Sequence, residues 1–239
     1  MTMEEDLVVT SNDDLNKLLD NLLIKKDREW WTKFYTNKEI QCPFFVNKPD
    51  ENLVEFIDSG IMYTEARILE LGCGNGRNSI WLAEKGFEVD GIDFSASAIE
   101  SALHKIEMNK KLKVNFYCES IFEHPYKENE YDLVYDCGCF HHISPHRRTS
   151  YIDILMRSLK RKGYFLLVCF NEKGGSGLSD LQVYEERSLK GGLAYNETKI
   201  GKIFEKSFDI KQIREMKEED EGSRYFGKNF LVTSIMQKC

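Results

Sequence analysis

Three glycines at alternate positions, Gly72, Gly74 and Gly76, follow a short apolar run that contains the acid Glu70. A strand that ends in such a turn lets a ligand approach the backbone closely, and the first amides of the next helix point toward the same ligand. Roughly twenty residues later, a second apolar run ends in Asp93. This pair of features is typical of a site for a nucleoside-containing ligand across the tips of two parallel strands, so an enzyme is predicted.

The glycine spacing distinguishes two nucleotide-binding patterns. The dinucleotide pattern G-x-G-x-x-G cradles a pyrophosphate, but Arg77 occupies the position of its third glycine in this chain. The order E-x-G-x-G-x-G from Glu70 to Gly76, with Asp93 closing the next strand, instead resembles motif I and the acidic loop of the class I S-adenosylmethionine-dependent methyltransferases. A Gly-Arg-Asn turn and a Phe-His-His-Ile stretch further resemble small bacterial-type members related to the tellurite-resistance and thiol or thiopurine enzymes.

The resemblance implies S-adenosylmethionine as the cofactor and assigns residues to its parts. Glu70 would hold the methionine ammonium, Asp93 would accept hydrogen bonds from both ribose hydroxyls, and Phe94 would lie against the adenine. Many relatives have an acid after the third strand, where this chain has Ser120, so the adenine contact is assigned to Ser120 and Ile121. The cofactor-binding residues predicted in this way are Trp31, Tyr35, Glu70, Gly72, Cys73, Gly74, Asp93, Phe94, Ser120, Ile121 and Asp136.

Two adjacent histidines, His141 and His142, are candidates for a general base, because a histidine can accept a proton near neutral pH. A base is needed only if the acceptor must lose a proton, and adjacent histidines at a strand-to-helix junction also serve as caps. The resemblance places Asp136 near the transferred methyl group, so these three residues form the predicted catalytic set. The His and Cys spacings match no common ligand pattern, and no metal is predicted.

Helical spacing and aromatic residues mark the region before the first strand. Ser11 is a good helix cap, and the leucines from Leu15 to Leu23 recur at helical spacing, which predicts a helix with an apolar stripe against the main domain. The aromatic run that follows is consistent either with core packing or with a cover over the cofactor. Trp31 and Tyr35, four residues apart on one helix face, are the candidates for the cover.

Strand and helix patterns alternate after this region, which predicts parallel strands joined by helices. Residues 1–59 are predicted to form an N-terminal helical lid segment, and residues 60–239 an S-adenosylmethionine-binding domain. The predicted fold class is α/β, a doubly wound Rossmann-like sheet with helices on both faces; the resemblance adds an antiparallel last strand and a total of seven strands. A helix is predicted from about Pro145 to Leu159, with a turn at Lys162 and Gly163 before a buried strand.

Composition limits the function further. The 239 residues carry a net charge of −7, which argues against nucleic acid as a partner. No apolar run reaches the length of a membrane span, and seven scattered cysteines predict reduced thiols in the cytoplasm. The predicted reaction is methyl transfer to sulfur, nitrogen or oxygen of a small molecule. The alternatives are methylation of RNA or protein, or a non-catalytic S-adenosylmethionine-binding protein, and the oligomeric state is left open.

Overall fold

The structure is a computed structural model that describes residues 8–24, 26–37, 42–107 and 109–239. Its centre is a seven-stranded sheet in the order β3-β2-β1-β4-β5-β7-β6. The strands are β1 (Arg67–Leu71), β2 (Glu88–Asp93), β3 (Val114–Cys118), β4 (Tyr131–Cys137), β5 (Leu159–Phe170), β6 (Phe208–Glu215) and β7 (Leu231–Lys238). Strands β1 to β5 are parallel, and β7 runs antiparallel to both of its neighbours. The predicted fold class is therefore confirmed.

Eight α-helices lie within the described ranges, and several begin at the polar residues expected to cap them. Ser11 accepts a backbone N–H three residues ahead, as predicted, and Ser95 and Asp27 do the same for their own helices. The helices are α1 (Asn12–Leu22), α2 (Arg28–Thr36), α3 (Glu51–Asp58), α4 (Arg77–Glu84), α5 (Ala96–Ile106), α6 (Arg148–Ser158), α7 (Asp180–Glu185) and α8 (Glu197–Phe204).

The strand order reverses between β1 and β4, and this is where a doubly wound sheet opens a crevice for ligands. In the register of the sheet, Leu71 of β1 lies opposite Ile92 of β2 on one side and Asp136 of β4 on the other. The turns after β1, β2 and β4 therefore meet at one edge. The glycine turn, Asp93 and the two histidines come together because of this topology.

Two hydrophobic clusters hold the sheet between its helices. One contains Phe140, Phe165 and Phe204, all fully buried, and the other contains Leu53 and Ile68, which are also fully buried. Their positions on opposite faces explain why successive residues of a central strand, such as Leu133 and Val134, are both fully buried. The site edge is thus supported by packed cores on both sides.

Two local predictions differ from the structure. Lys162 and Gly163 lie inside β5, where the pairing with β4 shifts register and Lys162 has a positive φ of 62°, so the expected turn is an irregularity of a longer strand. The helix predicted from about Pro145 begins at Arg148, because the 3-10 turns Phe140–His142 and Pro145–Arg147 come first. A proline fits the first position of such a short turn.

The leucine residues of α1 are only partly buried against the rest of the protein, so the predicted apolar stripe is incomplete. Leu23 is buried, but Leu15, Leu18 and Leu22 are exposed. Much of the helix is held by polar contacts instead, among them Asp20 with Arg147 at 2.6 Å. Of the proposed segment 1–59, residues 1–7, 25 and 38–41 lie outside the described residues.

No helix in the described ranges has the length and apolar character that crossing a bilayer requires.

Candidate active site

A cavity of about 1010 Å³ lies at the edge of the sheet where β1, β2 and β4 end. One part, here the glycine-turn half, is lined by the following residues: Glu70, Gly72, Cys73, Gly74, Asp93, Phe94, Ser120 and Ile121. The other part, the histidine half, is lined by the following residues: Lys26, Trp31, His141, His142, Phe170 and Phe230. Tyr35 lines the cavity at the glycine turn. All predicted site residues except Asp136 therefore reach one cavity.

The glycine turn needs glycine for two separate reasons. Gly72, Gly74 and Gly76 all have positive φ, between 54° and 76°, a region that other residues rarely adopt. A Cβ on Gly72 would also lie 2.7 Å from Cβ of Cys139, and a Cβ on Gly74 would lie 2.6 Å from the Tyr35 hydroxyl. Tyr35 of α2 therefore packs directly against the glycine turn.

Asp93 is the last residue of β2, and both of its carboxylate oxygens accept hydrogen bonds. One oxygen accepts a hydrogen bond from the backbone N–H of Gly74 at 2.9 Å, and the other accepts one from Ser95 at 2.9 Å. Each oxygen has a further lone pair for a ligand hydroxyl. Burial raises the pKa of Asp93, against the two backbone hydrogen bonds that lower it. The carboxylate therefore joins the glycine turn to the start of α5 and still faces the cavity.

Two side chains of α4 hold the carboxylate of Glu70. Its carboxylate accepts hydrogen bonds from the Ser79 hydroxyl and from the Asn78 amide, the latter at 3.2 Å. Burial raises the pKa of Glu70 to about 7. These contacts fix the orientation of Glu70 at the base of the glycine-turn half, where its predicted role toward the methionine ammonium stays a prediction.

Arg77 lies in a buried polar network that was not predicted from the sequence. The guanidinium lies 2.7 Å from Asp50 and donates to the carbonyl of Lys48 at 2.8 Å. The Tyr135 hydroxyl donates to the same Asp50 carboxylate at 2.5 Å. The residue that replaces the third glycine of the dinucleotide pattern thus ties the glycine turn to the segment before α3. Only the contacts reveal this, since Asp50 is 27 positions away in the sequence.

At the adenine end of the predicted site, the segment after β3 brings Glu119 and Ser120 to the cavity. Ser120 accepts a hydrogen bond from the N–H of Phe122 at 3.3 Å, and Glu119 lies 3.0 Å from the His124 ring. Ser120 and Ile121 nevertheless line the cavity near Phe94. A polar hydroxyl and two apolar surfaces are therefore available there, as the sequence predicted, and their contact with adenine stays a prediction.

Asp136 is directed away from the cavity. It is fully buried, and its oxygens accept hydrogen bonds from the N–H groups of Cys139 and Phe140 and from the Tyr151 hydroxyl at 2.6 Å. Burial raises its pKa to about 7. This arrangement favours a positioning role, in which Asp136 shapes the turn that presents His141, over the direct role predicted for it. The sequence could not show this, because the orientation depends on Tyr151 of α6.

The two histidines have different hydrogen-bonding states. Nδ1 of His141 accepts a hydrogen bond from the N–H of Phe170 at 3.2 Å, and the ring stacks on Phe170 with centroids 3.8 Å apart. Because burial lowers its pKa far below the usual value, the ring is neutral and its proton is on Nε2. His141 can donate a hydrogen bond but has no free lone pair, so the geometry does not suit it to act as a base.

His142 keeps its ring nitrogens available, with no hydrogen-bond partner among the described residues. Its ring lies edge-on to Trp31, with centroids 4.8 Å apart. Burial, and then the nearby charge of Lys26, lowers its pKa to about 3. A neutral His142 therefore faces the cavity beneath α2.

The structure brings several further residues to the histidine half. Phe170 and Phe230 line it, and the Lys26 ammonium enters it from the segment between α1 and α2. Gly192 allows the close packing of its loop, since a Cβ there would lie 2.9 Å from the His141 ring. The neighbouring pair of glycines was visible in the sequence, but nothing in it paired this loop with His141. Among the described residues no group of His, Cys, Asp and Glu has the geometry of a metal site.

The glycine-turn half fits S-adenosylmethionine. Gly72 and Gly74 line it without side chains of their own, and Asp93 offers one open lone pair on each oxygen to the two ribose hydroxyls. Phe94 and Ile121 provide apolar surface for a base.

Comparison with known proteins agrees with this fit. A family model described as "Methyltransferase domain" matches residues 68–163. An uncharacterized methyltransferase of Schizosaccharomyces pombe is 31% identical over 122 residues, which are 51% of this chain and 83% of that protein. The chain belongs to the class I S-adenosylmethionine-dependent methyltransferases. The prediction of this family, with S-adenosylmethionine as its cofactor, is thus confirmed.

Other methyltransferases match over different shares of their length. An uncharacterized methyltransferase of Synechocystis is 34% identical over 102 residues, 43% of this chain but only 46% of that protein. Human EEF1A lysine methyltransferase 2 is 28% identical over 160 residues, 60% of this chain and 67% of that protein. Among solved structures, a Haemonchus contortus phosphoethanolamine N-methyltransferase in complex with S-adenosylhomocysteine has a TM-score of 0.64 at 18% identity, covering 92% of this chain and 60% of that one. This likeness shows the fold.

Proposed function

We propose that this chain transfers a methyl group from S-adenosylmethionine to a small-molecule acceptor held in the histidine half. The observation that carries the proposal is that one cavity is lined both by the glycine turn and by α2, so an acceptor must fit beneath α2. At about 1010 Å³, the cavity is at the upper end of the usual range for ligand pockets, which suits a cofactor and a small acceptor together.

The cofactor residues of this proposal are Asp93, the glycines of the turn and Glu70. Asp93 holds the ribose, the turn receives the methionine part, and Glu70 faces the ammonium group. When bound, S-adenosylmethionine supplies an electrophilic methyl group on a positively charged sulfur. The protein then has to position an acceptor in line with that methyl group and exclude water.

The N-terminal helices α1 and α2 act as a lid in this proposal. Trp31 and Tyr35 of α2 face the histidine half and the glycine turn, and the Thr32 carbonyl accepts a hydrogen bond from Ser97 of α5 at 3.0 Å. On the other side, the N–H of Ile24 donates to the Arg187 carbonyl at 2.7 Å. The lid therefore closes the cavity between α5 and the loop after α7, which disfavours an acceptor on a large folded surface.

His142 is the residue placed to accept a proton from an acceptor that must lose one. Its ring is neutral and its nitrogens have no hydrogen-bond partner in the described ranges, whereas Nδ1 of His141 accepts a hydrogen bond from Phe170. A thiol or phenol that is already ionised would need no base, and His142 would then serve only to position it.

The test is formation of S-adenosylhomocysteine from S-adenosylmethionine with panels of small thiols, phenols and amines, and with purified EEF1A in a parallel reaction. Transfer to a small acceptor that is lost in Asp93→Ala supports the proposal. Transfer only to protein lysine would overturn the acceptor class and leave the family unchanged. Binding of S-adenosylhomocysteine without transfer to any acceptor would indicate a non-catalytic protein.

A further inference from the structure

Lys26 differs from the other cations of the cavity in having no acid beside it among the described residues. Its ammonium donates a hydrogen bond to the Gly191 carbonyl at 3.0 Å and lies 4.4 Å from the centre of the Trp30 ring. Burial lowers its pKa, and no carboxylate in the described part of the chain offsets that effect. The charge is thus partly desolvated and, apart from a carbonyl and an aromatic ring, has no opposite charge beside it.

Six cationic side chains line the cavity among the described residues. Five of them have a carboxylate partner within 2.8 Å: Lys17 with Asp13, Arg77 with Asp50, Arg147 with Asp20, Lys173 with Glu215, and Lys190 with Glu186. Lys26 has none in the part of the chain that the structure describes. A half-buried charge without a partner is costly unless a ligand neutralises it.

Other acids that line the cavity do not supply that partner. Asp13 pairs with Lys17, Asp20 with Arg147, and Glu119 with the His124 ring. Glu123 also lines the cavity but is exposed to solvent. The uncompensated charge on the inner side of the histidine half is therefore positive.

The surroundings of Lys26 are aromatic. Trp31 lies 5.4 Å from the ammonium, and beyond it are His142 and Phe170, whose rings are 6.4 Å apart. Flat apolar surfaces next to a single cation suit a planar ring with a negatively charged group. A lysine ammonium, by contrast, would meet a like charge at this position.

We propose that the acceptor of the methyl group is an aromatic anion whose negative charge is bound by Lys26. This inference rests on the proposed function, because it assigns the acceptor to the histidine half. The negative group is either a carboxylate beside the reacting atom or the ionised acceptor atom itself. In both cases Lys26 determines specificity, and Trp31 and Phe170 hold the ring.

Calorimetry on protein saturated with S-adenosylhomocysteine measures the binding of matched pairs of probes. Carboxylates are compared with their carboxamides: benzoate with benzamide, 4-hydroxybenzoate with 4-hydroxybenzamide, and indole-3-acetate with indole-3-acetamide. The pair 4-nitrophenol and 4-nitroanisole tests an ionised acceptor atom. We expect at least one anion to bind about tenfold more tightly than its neutral partner, which corresponds to one charge-assisted hydrogen bond.

Variants then separate recognition of the anion from support of the lid. Lys26→Met should remove the preference for the anion, while Lys26→Arg should retain it. Lys173→Met is the matched control, because Lys173 lines the same cavity but is paired with Glu215 at 2.6 Å. If Lys26 only fastened the lid through Gly191, Lys26→Met would weaken both members of a pair equally.

Three results would overturn the inference. The first is that no anion binds more tightly than its neutral partner, which includes the case in which no probe binds. The others are that Lys26→Met weakens the anion and its neutral partner equally, or that Lys173→Met loses the preference for the anion to the same extent. In each case, retained affinity for S-adenosylhomocysteine would leave the proposed function in place. Failure of the wild-type protein to bind S-adenosylhomocysteine would overturn the proposed function, and this inference with it.

Discussion

The two halves of the cavity are built from different kinds of structure. The glycine-turn half consists of the ends of β1 and β2 and the segment after β3, and backbone N–H groups such as that of Gly74 donate to its Asp93 carboxylate. The histidine half consists of a 3-10 turn, the N-terminal helices and the loop near Gly191. A rigid sheet edge suits one constant ligand, whereas segments brought together from distant parts of the chain suit an acceptor that differs between relatives.

Glu70 in the glycine-turn half and Asp136 beneath the turn that presents the histidines are buried carboxyl groups with strongly raised pKa values, and they give the largest expected effect. Burial raises the pKa of Glu70 from 4.5 to about 7 and that of Asp136 from 3.8 to about 7. The folded protein therefore binds these protons more tightly than the unfolded chain. Their contribution to stability is complete below the unfolded pKa values and is lost as the pH rises toward 7, by about 1.4 kcal/mol per group for each pH unit between its unfolded and folded pKa.

The variants Glu70→Gln and Asp136→Asn should each flatten this pH dependence, as measured by urea unfolding between pH 4.5 and 7. They should differ in function. Glu70→Gln should weaken the binding of S-adenosylhomocysteine, and Asp136→Asn should leave it unchanged while lowering kcat. If both variants weakened binding equally, the two halves would not be separable.

Asp93→Ala should raise the Kd for S-adenosylhomocysteine about a hundredfold, because the carboxylate would make two charge-assisted hydrogen bonds to the ribose. Calorimetry measures the affinity, and thermal unfolding checks that the glycine turn survives the loss of the bonds from Gly74 and Ser95. Ser120→Ala is the comparison from the same half and should raise the Kd much less, because at most one neutral hydrogen bond would be lost. Unchanged affinity in Asp93→Ala would remove the ribose assignment.

His142→Ala should lower kcat about tenfold or more with an unchanged Kd for S-adenosylhomocysteine, because the residue lies in the histidine half. Since its pKa is about 3, His142 stays neutral above that pH, and the rate should show no acidic limb from this group near pH 6. His141→Asn is the comparison, expected to act through packing against Phe170. A larger loss of kcat in His141→Asn, at equal stability, would reverse the two roles.

Gly74→Ala should weaken cofactor binding about fivefold, because it combines a strained φ of 54° with a contact to the Tyr35 hydroxyl. Tyr35→Phe in the same chain should recover part of the affinity by removing the hydroxyl. Gly177→Ala is the control, since no atom lies within 4 Å of its Cβ position. An effect of similar size in Gly177→Ala would rule out this explanation.

The same contrast explains what could be predicted from the sequence. Gly72, Gly74 and Asp93 are local signals, because each follows directly from a strand end and a turn. The direction of Asp136 and the blocked Nδ1 of His141 depend on Tyr151 and Phe170, which are separated from them by 15 and 29 positions. Lys26 was missed for the same reason, since its importance lies in the absence of an acid among its described spatial neighbours.

The attachment of α1 has a consequence for kinetics. None of its residues is fully buried; Asp20 holds it to His146 at 3.0 Å and to Arg147 at 2.6 Å, and the Leu22 carbonyl accepts a hydrogen bond from Arg187 at 2.9 Å. Dissolved ions weaken partly exposed ion pairs much more than apolar packing. We therefore expect the helix to detach more often as ionic strength rises, so that product escapes faster while cofactor affinity, set by the sheet edge, changes little.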